Sequence, residues 1–137
     1  MAEPQLSRDA REYRVTYLKR ISEKASEETA LVLAVIYTES KKSSMSEPKN
    51  IYTSVTIDSI IVRSMLSEAT IRRQVEKLEF ADFIQRKKVD RTWLYSITMN
   101  GYEAMNFMVD EEKFPGRKAK INAILNVTKR QGNTVDQ

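Results

Sequence analysis

Eight side chains in the middle of this chain are of the types that hold nucleic acid: Ser67, Thr70, Arg72, Arg73 and Lys77, then Lys87, Lys88 and Arg91. Short hydroxyls donate to phosphate or to base edges. Arginine presents paired N–H donors that match guanine O6 and N7, and either cation neutralises phosphate charge. Thr70, Arg72, Arg73 and Lys77 fall on the side of an amphipathic segment away from Ile71, Val75 and Leu78, and Ser67 caps that helix. The last three cluster where two strand-like segments meet at Asp90-Arg91-Thr92. A solvated helix also carries such residues, and for the helix alone the two readings balance. The basic tip that follows tilts the reading towards nucleic acid. Thr70, Arg72 and Arg73 are then the expected base readers. Ser67, Lys77, Lys87, Lys88 and Arg91 are the expected contacts to phosphate or the minor groove.

Composition narrows the alternatives. The chain has 137 residues, 41% apolar and 31% charged, which suits one domain with a core and a charged surface. It contains no Cys and no His. Disulfides, thiolate metal sites and thiol redox sensing are therefore excluded, and the commonest acid/base group is missing. No pair of carboxylates stands out, so we expect no enzyme, no catalytic residue, no bound metal and no cofactor. The net charge of +4 is weak evidence for a polyanionic partner by itself. Three Gly and three Pro are too few for an all-β fold built on tight turns. No run approaches the ~20 apolar residues of a membrane span. The N-terminus has no apolar leader segment, so the expected location is the cytoplasm.

The elements that must position these residues follow from periodicity. Leu6, Ala10, Tyr13, Tyr17 and Ile21 recur at helical steps and form one stripe. Ser26 can cap a second helix, in which residues 30–37 are apolar on every side, the pattern of a central buried helix. That helix is expected to end by the polar cluster 39–44, with a loop over 41–53 that Ile51 and Tyr52 anchor. Thr56 caps a third helix with Ile57, Ile60 and Ile61 inward, and Ser64-Met65-Leu66 turns the chain into the helix capped by Ser67. Strands at 83–89 and 93–98 put Trp93, Tyr95 and Ile97 on one face. Thr98 caps a helix with Tyr102, Met105, Met108 and Val109 on one side. Pro115-Gly116 breaks the chain before a last amphipathic helix with Ile121, Ile124, Leu125 and Thr128, ended by Gly132.

Two short helices at a steep angle followed by a basic hairpin are the plan of a winged helix-turn-helix, in which the second helix lies in the major groove. The expected fold class is mainly α (α+β). Residues 1–137 form a single winged-helix domain, with 55–98 as the helix-turn-helix plus wing.

The same stretch resembles the MarR family of transcription regulators. Ser67, Thr70 and Ile71 match the family's Ser-x-x-Thr-apolar helix start. Leu78, Glu79, Phe83, Ile84 and Arg86 match its Leu-Glu-x-x-Gly-apolar-apolar-x-Arg strand, and Asp90, Arg91, Ile97, Thr98 and Gly101 match its Asp-Arg wing and the following Thr-x-x-Gly helix start. The match is close over 55–105 and holds only in outline beyond. Asp82 replaces the family's Gly, the wing is shorter, and Thr92 replaces a second Arg. The resemblance implies a homodimer in which residues 5–25 and 99–130 interlace as dimerisation helices, bound to double-stranded DNA at a pseudo-palindromic site. The terminal stripes are equally compatible with helices folded back on their own chain. Relatives also bind small aromatic effectors, for which Tyr13, Tyr17 and Tyr37 are candidate lining residues, though core packing explains them more simply. The competing function is a winged-helix module that docks protein or RNA, because fold does not fix function.

Overall fold

Residues 30–36 carry no polar side chain, and each is buried in the helix around which the others pack. That helix, α2 (Glu27–Ser46), touches α3 (Ile57–Ser64), α4 (Glu68–Phe80), α5 (Met99–Met108), α6 (Arg117–Val135) and strand β2 (Thr92–Ile97). Helix α1 (Glu3–Glu23) lies mainly against α5, and α6 against α3 and α2. Strand β1 (Ile84–Val89) pairs antiparallel with β2. This computed structural model describes residues 3–46 and 54–135, with side chains described for 10–39 and 54–128. Among the described residues, no helix is long and apolar enough to cross a membrane.

The mainly helical winged-helix plan is as expected, and four hydroxyl caps mark its helix starts. Ser26 Oγ accepts from Thr29 N (3.1 Å), Thr56 Oγ1 from Ser59 N (3.1 Å), Ser67 Oγ from Thr70 N (3.2 Å) and Thr98 Oγ1 from Gly101 N (3.1 Å). Each satisfies an amide that the first helical turn leaves without a partner. Val55, just before α3, forms an isolated antiparallel bridge to β2: its N–H and C=O each bond Tyr95 at 2.8 Å.

Two boundaries differ from the sequence reading. Helix α2 does not end by 39–44 but runs to Ser46, so 41–46 are helical and not loop. No Gly or Pro, the residues most costly to a helix, interrupts 41–46, so the helix can run on beyond its buried part. The anchors proposed at Ile51 and Tyr52 lie outside the described residues. Helix α6 continues through Gly132 to Val135, since one glycine costs a helix only about 1 kcal/mol.

The stripe on α1 also behaves differently from a buried face. Leu18 and Ser22 are buried, whereas Ala10, Tyr13 and Tyr17 are exposed, Tyr13 to 77%. Within one chain only Ile21, at the end of the stripe, packs against the core, the Ala10–Tyr13–Tyr17 part is left exposed, and Leu6 lies outside the described side chains.

The close approach of α5 to the sheet depends on Gly101. A Cβ there would sit 2.1 Å from Phe83 O and 2.7 Å from Ile97 Cγ1. The glycine of the Thr-x-x-Gly pattern is thus a packing requirement, quite apart from backbone flexibility.

Candidate nucleic-acid interface

The turn between α3 and α4 is made by Met65, which takes a left-handed backbone (φ 63°) and closes α3 through its N–H to Ile61 O at 3.0 Å. Leu66 is half-buried against the core and Ser64 is buried. Helix α4 then buries Ile71, Val75 and Leu78 as its spacing requires. It also buries Gln74, which the sequence reading missed. Thr29 Oγ1 donates to Gln74 Oε1 at 2.6 Å and is itself linked to Ser26 Oγ at 2.9 Å. This buried polar contact fixes the roll of α4 against α2, because a slipped helix would leave the amide without a partner. The available signal was its position inside the stripe Ile71–Val75–Leu78.

The predicted residues on α4 divide into three kinds. Ser67 is committed to capping: its hydroxyl also donates to Thr70 Oγ1 at 2.9 Å, which leaves the Thr70 hydroxyl hydrogen free. Arg72 is exposed and pairs with Glu68, Nε to Oε2 at 2.9 Å, rather than with Glu76. The hydrogen bond to Glu68, then its charge, raises the Arg72 pKa further above its already high usual value. Arg73 and Lys77 are exposed and make no ion pair among the described residues. They border a groove of about 530 Å³ between α4 and α1, lined also by Tyr17, Ile21, Phe80 and Ala81. Phe80 is 94% exposed, an apolar feature of α4 that the sequence reading passed over.

The wing turns on two residues. Val89 pairs with Thr92, and between them Asp90 (φ 49°) and Arg91 (φ 69°) are both left-handed, the signature of a type I′ hairpin. Thr92 is therefore the first residue of β2 and not part of the turn. The register places Lys88 opposite Trp93 and Lys87 opposite Leu94, so the two lysines point to opposite faces of the ribbon. Lys88 Nζ lies 5.4 Å from the Trp93 ring centroid. Lys87 and Arg91 are exposed and without an ion pair among the described residues. Arg86 is spent on structure: its Nε is 3.0 Å from Glu79 Oε2, which ties the wing to the end of α4.

The structure thus brings the eight predicted residues onto two adjoining elements, an exposed helix face and a hairpin tip. The C-terminal cations behave otherwise. Lys113 pairs with Glu23 (3.5 Å) and Lys120 with Glu27 (3.2 Å). Arg117 donates to Ala25 O (3.0 Å) and Met108 O (3.2 Å) and stacks on Phe114, with burial lowering its pKa from the usual value. Lys129 and Arg130 lie outside the described side chains. Among the described residues no group of three acidic side chains is placed to hold a metal ion.

A two-helix module with an exposed basic second helix and a two-residue wing, flanked by helices at both ends, defines a winged-helix class with terminal helices. Solved structures give that class a more particular form. Bordetella bronchiseptica BpsR, whose DNA binding is regulated by 6-hydroxynicotinic acid, is similar over 90% of each chain with a TM-score of 0.51 and 16% identity. A MarR-family transcriptional regulator from Silicibacter pomeroyi is similar over 98% of this chain and 84% of that one, with a TM-score of 0.52 and 14% identity. A scan against protein-family models finds no match, and a search of the curated proteins finds none either. The chain has the MarR-like winged-helix fold.

Proposed function

We propose that this protein is a sequence-specific double-stranded DNA-binding transcriptional regulator that works in the cytoplasm as a homodimer on a pseudo-palindromic operator. The observation that carries this reading is the pairing of a roll-fixed α4, exposing Arg72, Arg73 and Lys77 beside a half-buried Thr70, with a wing whose tip exposes Lys87 and Arg91. A helix so presented enters the major groove with its first turns at the base edges, while the tip reaches phosphate or the minor groove. Arg72 can leave Glu68 at small cost, because an exposed pair is worth only ~0–1 kcal/mol. The exposed Ala10–Tyr13–Tyr17 stripe supports the dimer, since a second chain would cover it. Regulation of one similar protein by a small aromatic acid supports an effector here as well, with the α1–α4 groove as its place.

The test is selection of duplex DNA by the purified protein, with affinities measured at two salt concentrations. The expected result is a palindrome whose half-sites lie about ten base pairs apart, bound with a specificity that survives physiological salt. Enrichment of no sequence, with binding lost at that salt, would sink the reading. The exposed Phe80 would then favour the alternative, a winged-helix module that docks protein or RNA.

A further inference from the structure

Three side chains distant in sequence connect α1 to the turn where α4 ends and the wing begins. Arg14 Nε donates to Asn100 Oδ1 at 2.7 Å, and Asn100 Nδ2 donates to Asp82 Oδ2 at 3.1 Å. Arg14 also pairs with Glu103, Nη1 to Oε1 at 3.2 Å, which steadies its guanidinium over α5. The amide of Asn100 has one favourable orientation, because its oxygen faces a cation and its NH2 faces a carboxylate. Turning it over would set like partners against each other at both ends.

Asp82 is held by its backbone too. Its φ is 65°, and Thr98 Oγ1 donates to its carbonyl oxygen at 2.6 Å. A left-handed residue at this turn would ordinarily be glycine, which has no side chain with which to bond anything. Asp tolerates the conformation and adds a carboxylate. The departure from glycine at this position is therefore what completes the chain of hydrogen bonds.

We infer that Asp82 is a positioning residue: through Asn100 and Arg14 it couples the placement of α1 to the turn from which α4 and the wing take their relative direction. A partner or ligand pressing on the exposed Tyr13–Tyr17 side of α1 is then felt at the DNA-contacting elements. That consequence rests on the function proposed above, whereas the coupling itself does not.

The test is a cycle of variants of the full chain followed by amide hydrogen exchange, reading residues 83–97 relative to the α2 core at 30–36. Arg14→Met cuts the link at α1. Asp82→Gly cuts it at the turn while keeping a residue at ease with positive φ, and Asp82→Asn keeps both an acceptor and tolerance of that backbone. The expected result is that Arg14→Met accelerates hairpin exchange about two- to tenfold in the parent, as loss of one partly buried hydrogen bond would. In Asp82→Gly that acceleration falls by more than half on a logarithmic scale, and in Asp82→Asn it persists. The inference is overturned if Arg14→Met leaves relative hairpin exchange unchanged, or if the acceleration survives in Asp82→Gly. No DNA is needed for these measurements. A protein that selects no DNA sequence would lose the proposed function and keep the coupling, and one that selects a sequence without the cycle effect would lose the coupling alone.

Discussion

Arg86 lies over the indole of Trp93, its Cζ 4.3 Å from the ring centroid, and this contact locks the base of the wing. The same guanidinium is paired with Glu79 on α4, so one residue joins the helix to the ribbon. An exposed cation–π contact is worth ~0.5–1 kcal/mol. Trp93→Ala is therefore expected to lower stability by about 1 kcal/mol and to loosen the hairpin, with Trp93→Phe recovering part of the loss. Thermal unfolding measures the first effect, and exchange of the Ile84–Val89 amides the second. Equal stability of all three proteins would show that the stacking contributes nothing.

Arg73 and Lys87 are both exposed and unpaired among the described residues, yet they are expected to fail differently when removed. On the proposed reading Arg73→Ala loses ~1–3 kcal/mol of DNA affinity and relaxes sequence preference at one base position. Lys87→Ala weakens all sequences alike and reduces the salt slope by about 1. Binding titrations of both variants on the selected site and on scrambled DNA, at several salt concentrations, separate these outcomes. Identical losses on both DNAs for Arg73→Ala would remove it from base reading.

Arg91 occupies a left-handed position at which a residue with a long side chain is unfavourable by about 1–2 kcal/mol. On the proposed reading Arg91→Gly should therefore stabilise the hairpin while lowering DNA affinity, a divergence that simple damage to the fold cannot produce. Melting temperature and affinity measured on the same preparation decide it. A variant that binds DNA as tightly as the parent would mean that the tip cation makes no contact.

Gly101→Ala is expected to destabilise the protein by at least ~1–3 kcal/mol, the usual penalty for forcing atoms into a filled space. The clash is with backbone oxygen and an isoleucine side chain, so neither rotamer change nor solvent can relieve it cheaply. For a chain of this length that is a fall of several degrees in Tm. An unchanged Tm would mean that α5 can move away from Phe83 freely.

Much of the architecture was legible in sequence because local rules agreed. The caps at Ser26, Thr56, Ser67 and Thr98, the apolar run at 30–37 as far as Ile36, and the stripe Ile71–Val75–Leu78 each have a short-range physical signature, and each stands where that signature put it, Tyr37 alone being half-buried. The division of labour among the cations was not legible. Arg86 and Arg117 are the same residue type as Arg73, yet one is bound to Glu79 and Trp93 and the other to two backbone carbonyls. Those partners are set by tertiary approach, which spacing does not encode. Gln74 and the link from Arg14 to Asp82 escaped for the same reason, since each depends on contacts between distant segments. The extension of α2 to Ser46 escaped because a polar run carries little periodicity from which to judge where a helix stops.

The separation of Arg14 and Asn100 by 86 positions has a kinetic meaning as well. A hairpin closed by two residues forms from local contacts in microseconds, whereas docking α1 on α5 must first close a loop through most of the chain. Assembly should therefore proceed from the wing and α4 outwards, with α1 settling last. Pulsed exchange during refolding should show Ile84–Val89 and α4 protected before the α1 amides, and the reverse order would refute this sequence. Until α1 docks, the surface of α5 that receives it is open, and the α1 of a second chain would compete for it only as that chain's concentration approaches the effective concentration of the tethered helix.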